Sequence, residues 1–99
     1  MAVFFMHYVY ILQSESSGIF YKGYSENPLA RLQFHNAGKS TYTSKFLPWT
    51  LVAVFIFTDK SEALLKEKKL KKYPTKSLEA LIASDKNLLT SYLKGLESR

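Results

Sequence analysis

Apolar and aromatic residues are grouped along the chain into three strand-like runs separated by polar turns and helical stretches. Tyr8 to Leu12 is rich in β-branched and aromatic residues, and the two-residue period of a strand puts Tyr8 and Tyr10 on one face. The polar run Gln13 to Gly18 separates it from Ile19 to Tyr24, so the pair reads as an antiparallel hairpin. Gly23 interrupts the second run, where a bulge or a close backbone approach is expected. Asn27-Pro28 supplies an N-cap side chain followed by proline at the first helical position, and Gly38 terminates the helix that follows. A basic, hydroxyl-rich loop, Lys39 to Phe46, leads through Pro48 to Trp49–Phe57, the longest strand candidate. Its two apolar faces predict a central position in the sheet.

Asp59 and Glu62 form the pattern of a capping box, opening a helix that runs to about Tyr73 and stops at Pro74. Thr75 is a candidate cap for a short helix over Lys76 to Ala83. Ser84 or Asp85 is a candidate cap for a last helix through Leu93 that ends at Gly95. The order β-β-α-β-α-α, with this helical extension, defines a small α+β domain: a three-stranded antiparallel sheet flanked by helices. With 99 residues and no repeat or linker, residues 1–99 read as a single domain. Its motif-bearing core is expected over about 7–76 and a helical C-terminal extension over about 77–99.

Composition narrows the chemistry. The formal net charge of +6, concentrated around Lys66 to Lys76, favours a polyanionic partner. The chain has no cysteine, which excludes disulfides and thiolate metal sites and suits a reducing compartment. Its two histidines, His7 and His35, stand far apart, against a multi-histidine metal centre. The apolar opening Met1 to Met6 is short and preceded by no basic residue, unlike a signal peptide. The apolar run Leu51 to Phe57 is far below the roughly 20 residues that a bilayer requires. A soluble, cytoplasmic protein without membrane partners is the expectation.

A few residues stand out chemically. Arg31 and His35, at i and i+4, share a helix face near the end of the second strand. Arginine offers a planar fork matched to two phosphate oxygens, and histidine can donate to phosphate or move a proton near neutral pH. Glu67 falls inside the apolar arc drawn by Ala63, Leu64 and Leu70, while Lys66, Lys68, Lys69 and Lys72 fan out elsewhere. A carboxylate aimed inward needs a cation, a metal or several donors. Tyr10 and Tyr21, on adjacent strands, are phenols that can take a proton from water if neighbouring cations lower their pKa. Lys22, Lys39, Tyr42, Lys45 and Lys71 are candidate contacts to a nucleic-acid backbone.

Taken in order, these features resemble the GIY-YIG endonuclease superfamily, in its small single-domain bacterial branch. Tyr8-Val9-Tyr10 occupies the place of the Gly-Ile-Tyr motif and Tyr21-Lys22-Gly23 that of Tyr-Ile-Gly. The helices carrying Arg31, His35 and Glu67 follow in the family's order over roughly residues 7 to 76. The pattern departs in having Tyr8 for glycine. Asn87 stands late for the asparagine that many members carry after the glutamate helix. No separate DNA-binding domain is expected to follow.

The resemblance implies metal-dependent hydrolysis of DNA phosphodiester bonds, with branched, nicked or damaged DNA as candidate substrates. It implies that Tyr10 or Tyr21 activates water, that Arg31 holds the phosphate with His35 assisting, and that Glu67 ligates Mg²⁺ or Mn²⁺. Gly23 belongs to the motif as a structural residue, and no small-molecule cofactor is implied. The alternative is a nucleic-acid-binding module on the same scaffold with little or no cleavage; a third reading is an interaction protein that docks through exposed aromatics and the C-terminal helices.

Overall fold

A computed structural model describes residues 5–97, so most of the apolar opening lies outside the described residues. Strand β1 (His7–Ser14) pairs antiparallel with β2 (Phe20–Ser25) on one side and with β3 (Trp49–Phe57) on the other. Helix α1 (Pro28–Asn36) follows β2, and a 3-10 turn (Thr43–Phe46) precedes β3. Helices α2 (Lys60–Leu70), α3 (Thr75–Ile82) and α4 (Leu89–Glu97) complete the chain. The architecture is the α+β arrangement expected, a three-stranded antiparallel sheet flanked by helices.

The strand order β2-β1-β3 corrects one expectation: β1 is central, and β3 lies at an edge. The two apolar faces of β3 have a different cause, because helices cover both sides of the sheet. Val9, Ile11, Ala53 and Phe55 pack against Ala63 and Leu70 of α2 and Leu78 of α3. On the opposite face Tyr10, Leu12, Trp49 and Val54 pack against Tyr92 of α4, with Leu29 and Leu32 of α1 beside them. A bulge between the pairs Ile11–Ala53 and Leu12–Leu51 lets the two strands keep this alternation.

The outer edge of β3 is blunted by the segment before α4. Asn87 Oδ1 accepts from the Val54 amide at 3.2 Å, and Asn87 Nδ2 donates to the Val52 carbonyl at 2.9 Å. The Leu88 amide adds a bond to the Val54 carbonyl at 2.9 Å. One amide side chain thus occupies the free donor and acceptor that an edge strand exposes.

Local signals set the helix ends, with several shifts. The Asn27 side chain accepts from the Ala30 amide, Pro28 opens α1, and Gly38 adopts φ +75° just past its end. Asp59 caps α2 by accepting from the Ser61 amide. That helix stops at Leu70 instead of continuing to about Tyr73, because the residue before Pro74 disfavours helical dihedrals. Thr75 lies inside α3, whose N-cap position is Pro74. Neither Ser84 nor Asp85 caps α4: Asn87 accepts from the Leu89 amide, and the helix continues through Gly95 to Glu97. Among the described residues no helix is long and apolar enough to cross a membrane.

Candidate active site

The register of the hairpin builds the first part of the site. Tyr10 lies opposite Gly23, and Tyr21 is opposite Leu12, so both tyrosines share the α1 face. A Cβ at position 23 would come within 2.5 Å of both Tyr10 Cζ and its hydroxyl oxygen. Gly23 is therefore required by a close approach of the Tyr10 ring, and the bulge in the sheet lies elsewhere.

Tyr10 reaches inward to His35, whose Nε2 shares a 3.1 Å hydrogen bond with its hydroxyl. The other ring nitrogen, Nδ1, bonds Thr43 Oγ1 at 2.9 Å. Tyr10 is 1% exposed and His35 and Thr43 are fully buried. Burial pushes the Tyr10 hydroxyl up to about 12; Arg31 pulls it down, while Tyr21 and Glu67 add to the rise. Burial also lowers the pKa of His35, and the positive charge of Arg31 adds to that, so the imidazole is neutral near pH 7.

This differs from the shared helix face expected for Arg31 and His35. The two residues do lie one turn apart on α1, yet only Arg31 is partly open to solvent. Its guanidinium lies over the Phe34 ring, 4.1 Å from the centroid, which steadies a long cationic side chain. His35, with both nitrogens occupied, reaches the site through its bond to Tyr10 and its ring contact with Tyr21. Tyr21 is half-buried, its ring centroid 4.8 Å from that of His35 and 6.3 Å from that of Tyr10.

Glu67 approaches from the other side of the sheet. It lies on α2 between Ala63 and Leu70, both fully buried, while Leu64 stays 41% exposed and lies outside the buried stripe. Its side chain is 20% exposed, and its carboxylate pairs with Lys71 at 3.7 Å. Lys22 of β2 is half-buried; burial lowers its pKa, and the nearby Lys71 lowers it further. Two ammonium groups are thus held within electrostatic range of one another, and one of them pairs with Glu67.

Among the described residues no group of three or more His, Asp or Glu side chains could hold a metal alone. A divalent ion at Glu67 would take its remaining oxygens from water and substrate, and Mg²⁺ suits such a donor set. The half-buried, partly open carboxylate fits that role.

The remaining candidates are placed apart from this cluster. Lys39, Tyr42 and Lys45 are exposed on the loop after α1, with the Tyr42 ring packed 5.4 Å from that of Phe46. The loop is tied to the site by Thr43, whose carbonyl also accepts from Trp49 Nε1 at 2.9 Å. Thr43 was visible in the sequence only as one hydroxyl among several. Asn36 is likewise a support, bonding both the amide and the carbonyl of Trp49.

This fold, with Tyr10, Tyr21, Arg31 and Glu67 in their order along it, is that of a catalytic-domain family which comparison with known proteins identifies. Residues 6–78 match the GIY-YIG catalytic domain, and the chain belongs to that family. A UPF0213 protein of Staphylococcus haemolyticus is 41% identical over 68 residues, spanning 68% of this chain and 82% of the relative. A UPF0213 protein of Halobacterium salinarum is 38% identical over 77 residues, spanning 77% and 99%. The solution NMR structure of the UPF0213 protein BH0048 from Bacillus halodurans superposes with a TM-score of 0.54 at 34% identity, covering 82% of this chain and 86% of that one.

Proposed function

We propose that the chain is a divalent-metal-dependent endonuclease that hydrolyses DNA phosphodiester bonds. The observation that carries this reading is the match of residues 6–78 to the GIY-YIG catalytic domain, with Arg31 and Glu67 both within electrostatic range of the Tyr10 hydroxyl. Binding alone has no use for a carboxylate beside a phosphate; phosphoryl transfer does.

In this reading Arg31 binds and neutralises the scissile phosphate through its planar fork. Tyr21, half-buried, presents its hydroxyl to the attacking water, with the sealed Tyr10 behind it. Tyr10 holds its own proton at neutral pH because burial has pushed it to about 12. The neutral His35 Nε2 is hydrogen-bonded to the Tyr10 hydroxyl and holds it in place. His35 is then a positioning residue, and Thr43 fixes its orientation. Glu67 would hold Mg²⁺ or Mn²⁺, which when bound polarises a phosphoryl oxygen and stabilises the leaving oxyanion. Lys22, Lys39, Tyr42, Lys45 and Lys71 contribute sequence-independent contacts to the backbone of the nucleic acid.

One observation favours the alternative, a nucleic-acid-binding module with little cleavage: Glu67 is already paired with Lys71. That pair is long at 3.7 Å and Lys71 is 58% exposed, so it is weak and readily exchanged. Cleavage of duplex, nicked, single-stranded and branched DNA with Mg²⁺, comparing wild type with Glu67→Ala, tests the assignment. Products that require both metal and Glu67 support the nuclease. Salt-sensitive binding without cleavage in either protein supports the binding module.

A further inference from the structure

A cavity of about 300 Å³ lies between the hairpin turn and the junction of α2 with α3. Ile19 and Phe20 supply apolar and aromatic walls on the strand side, Tyr73 closes the helix side, and Ser17 and Thr75 bring hydroxyls. Tyr73 is 37% exposed, so part of its ring is open to a planar ligand. Lys22 also lines the cavity, and its ammonium is within electrostatic range of Lys71, the partner of Glu67. Lys22 therefore belongs both to this cavity and to the charged side of the candidate active site.

We infer that this cavity receives one unpaired nucleotide of the DNA strand being cleaved, so that the enzyme prefers DNA in which a nucleotide next to the scissile phosphate is unstacked. The inference rests on the nuclease reading of the site and gives its substrate a structure. Aromatic walls stack on a base of any sequence; the Thr75 hydroxyl, and that of Ser17, which accepts a long 3.4 Å bond from the Ile19 amide, can meet a base edge. Lys22 and its neighbour Lys71 suit the phosphate of this nucleotide. A base in an intact duplex is stacked on both sides and cannot enter a concave space without leaving the helix, which costs free energy that a mismatched or already unpaired base does not require.

The test measures, in EDTA, the affinity of the full chain for a matched duplex and for the same duplex carrying one unpaired adenine. Wild type is expected to bind the second about tenfold more tightly, in line with base–aromatic stacking. Tyr73→Ala removes the stacking ring, and Ser17→Phe fills the cavity from an exposed turn position. Each should bring the ratio to about one while leaving matched-duplex affinity and Mg²⁺-dependent cleavage of matched duplex unchanged. Equal affinities in wild type, or a ratio retained in both variants, would overturn the inference. So would free deoxyadenosine monophosphate competing as well as the unpaired strand, which would make the cavity a mononucleotide site. Cleavage measured with Mg²⁺ on the same DNAs separates the two ideas: a preserved binding preference without any cleavage contradicts the nuclease and leaves the cavity assignment standing.

Discussion

The two faces of the sheet meet at the candidate site but are built differently. On the α1 face, Tyr10, His35 and Thr43 form a sealed chain of hydrogen bonds in which burial fixes every ring and hydroxyl. On the α2 face, Glu67, Lys71 and Lys22 are partly solvated and held by charge, with one 3.7 Å ion pair between them. The sealed side is preorganised and coupled to folding. The solvated side can exchange its partners for metal and phosphate without disturbing the core. Substitutions on the first face should therefore alter stability, and those at the solvated charges mainly turnover.

The largest departure should come from His35→Ala, which leaves a cavity and strips partners from the buried Tyr10 and Thr43 hydroxyls. A loss of about 3 kcal/mol, read by urea denaturation, is expected. Arg31→Lys should behave oppositely, keeping the melting temperature while lowering cleavage about a hundredfold, because an ammonium lacks the planar fork. Gly23→Ala forces a methyl against the Tyr10 ring and should cost about 2 kcal/mol. Asn87→Ala, remote from the site, should cost about 2 kcal/mol and leave cleavage rates unchanged, since it unties the β3 edge and the start of α4.

The smallest effect is the dependence of stability on pH. Unfolded histidine takes up its proton near pH 6.5, whereas native His35 does so only at lower pH. The unfolded chain binds more protons in that window, so stability should fall as pH drops below about 6.5. At the alkaline end the unfolded Tyr10 ionises near 10.0 and the native one near about 12. Stability should therefore fall as pH rises between those values. Thermal melts across pH, compared with Tyr10→Phe and His35→Gln, would assign each limb.

Much of this was legible in the sequence, because local patterns fixed the hairpin, the Asn27-Pro28 helix start and the inward placement of Glu67 between Ala63 and Leu70. What escaped depended on partners distant along the chain. Trp49–Phe57 looks central since both its faces are apolar, yet the residue that closes its edge is Asn87, more than thirty positions from Val54. Arg31 and His35 share a helical repeat, but helical spacing cannot reveal that Thr43, in a loop, closes over one and leaves the other open. Gly23 could be marked as a site of close approach, while the ring that approaches it became evident only from the strand register.

The central claim is that Glu67 serves the reaction and not the fold. The most direct measurement is the single-turnover cleavage rate of nicked DNA across a range of Mg²⁺ concentrations, for wild type and Glu67→Gln, with melting temperatures taken on the same samples. The account predicts a saturable Mg²⁺ dependence in wild type, and a loss of at least about a hundredfold in the variant at an unchanged melting temperature. Equal rates in the two proteins, or a loss that simply follows unfolding, would contradict it.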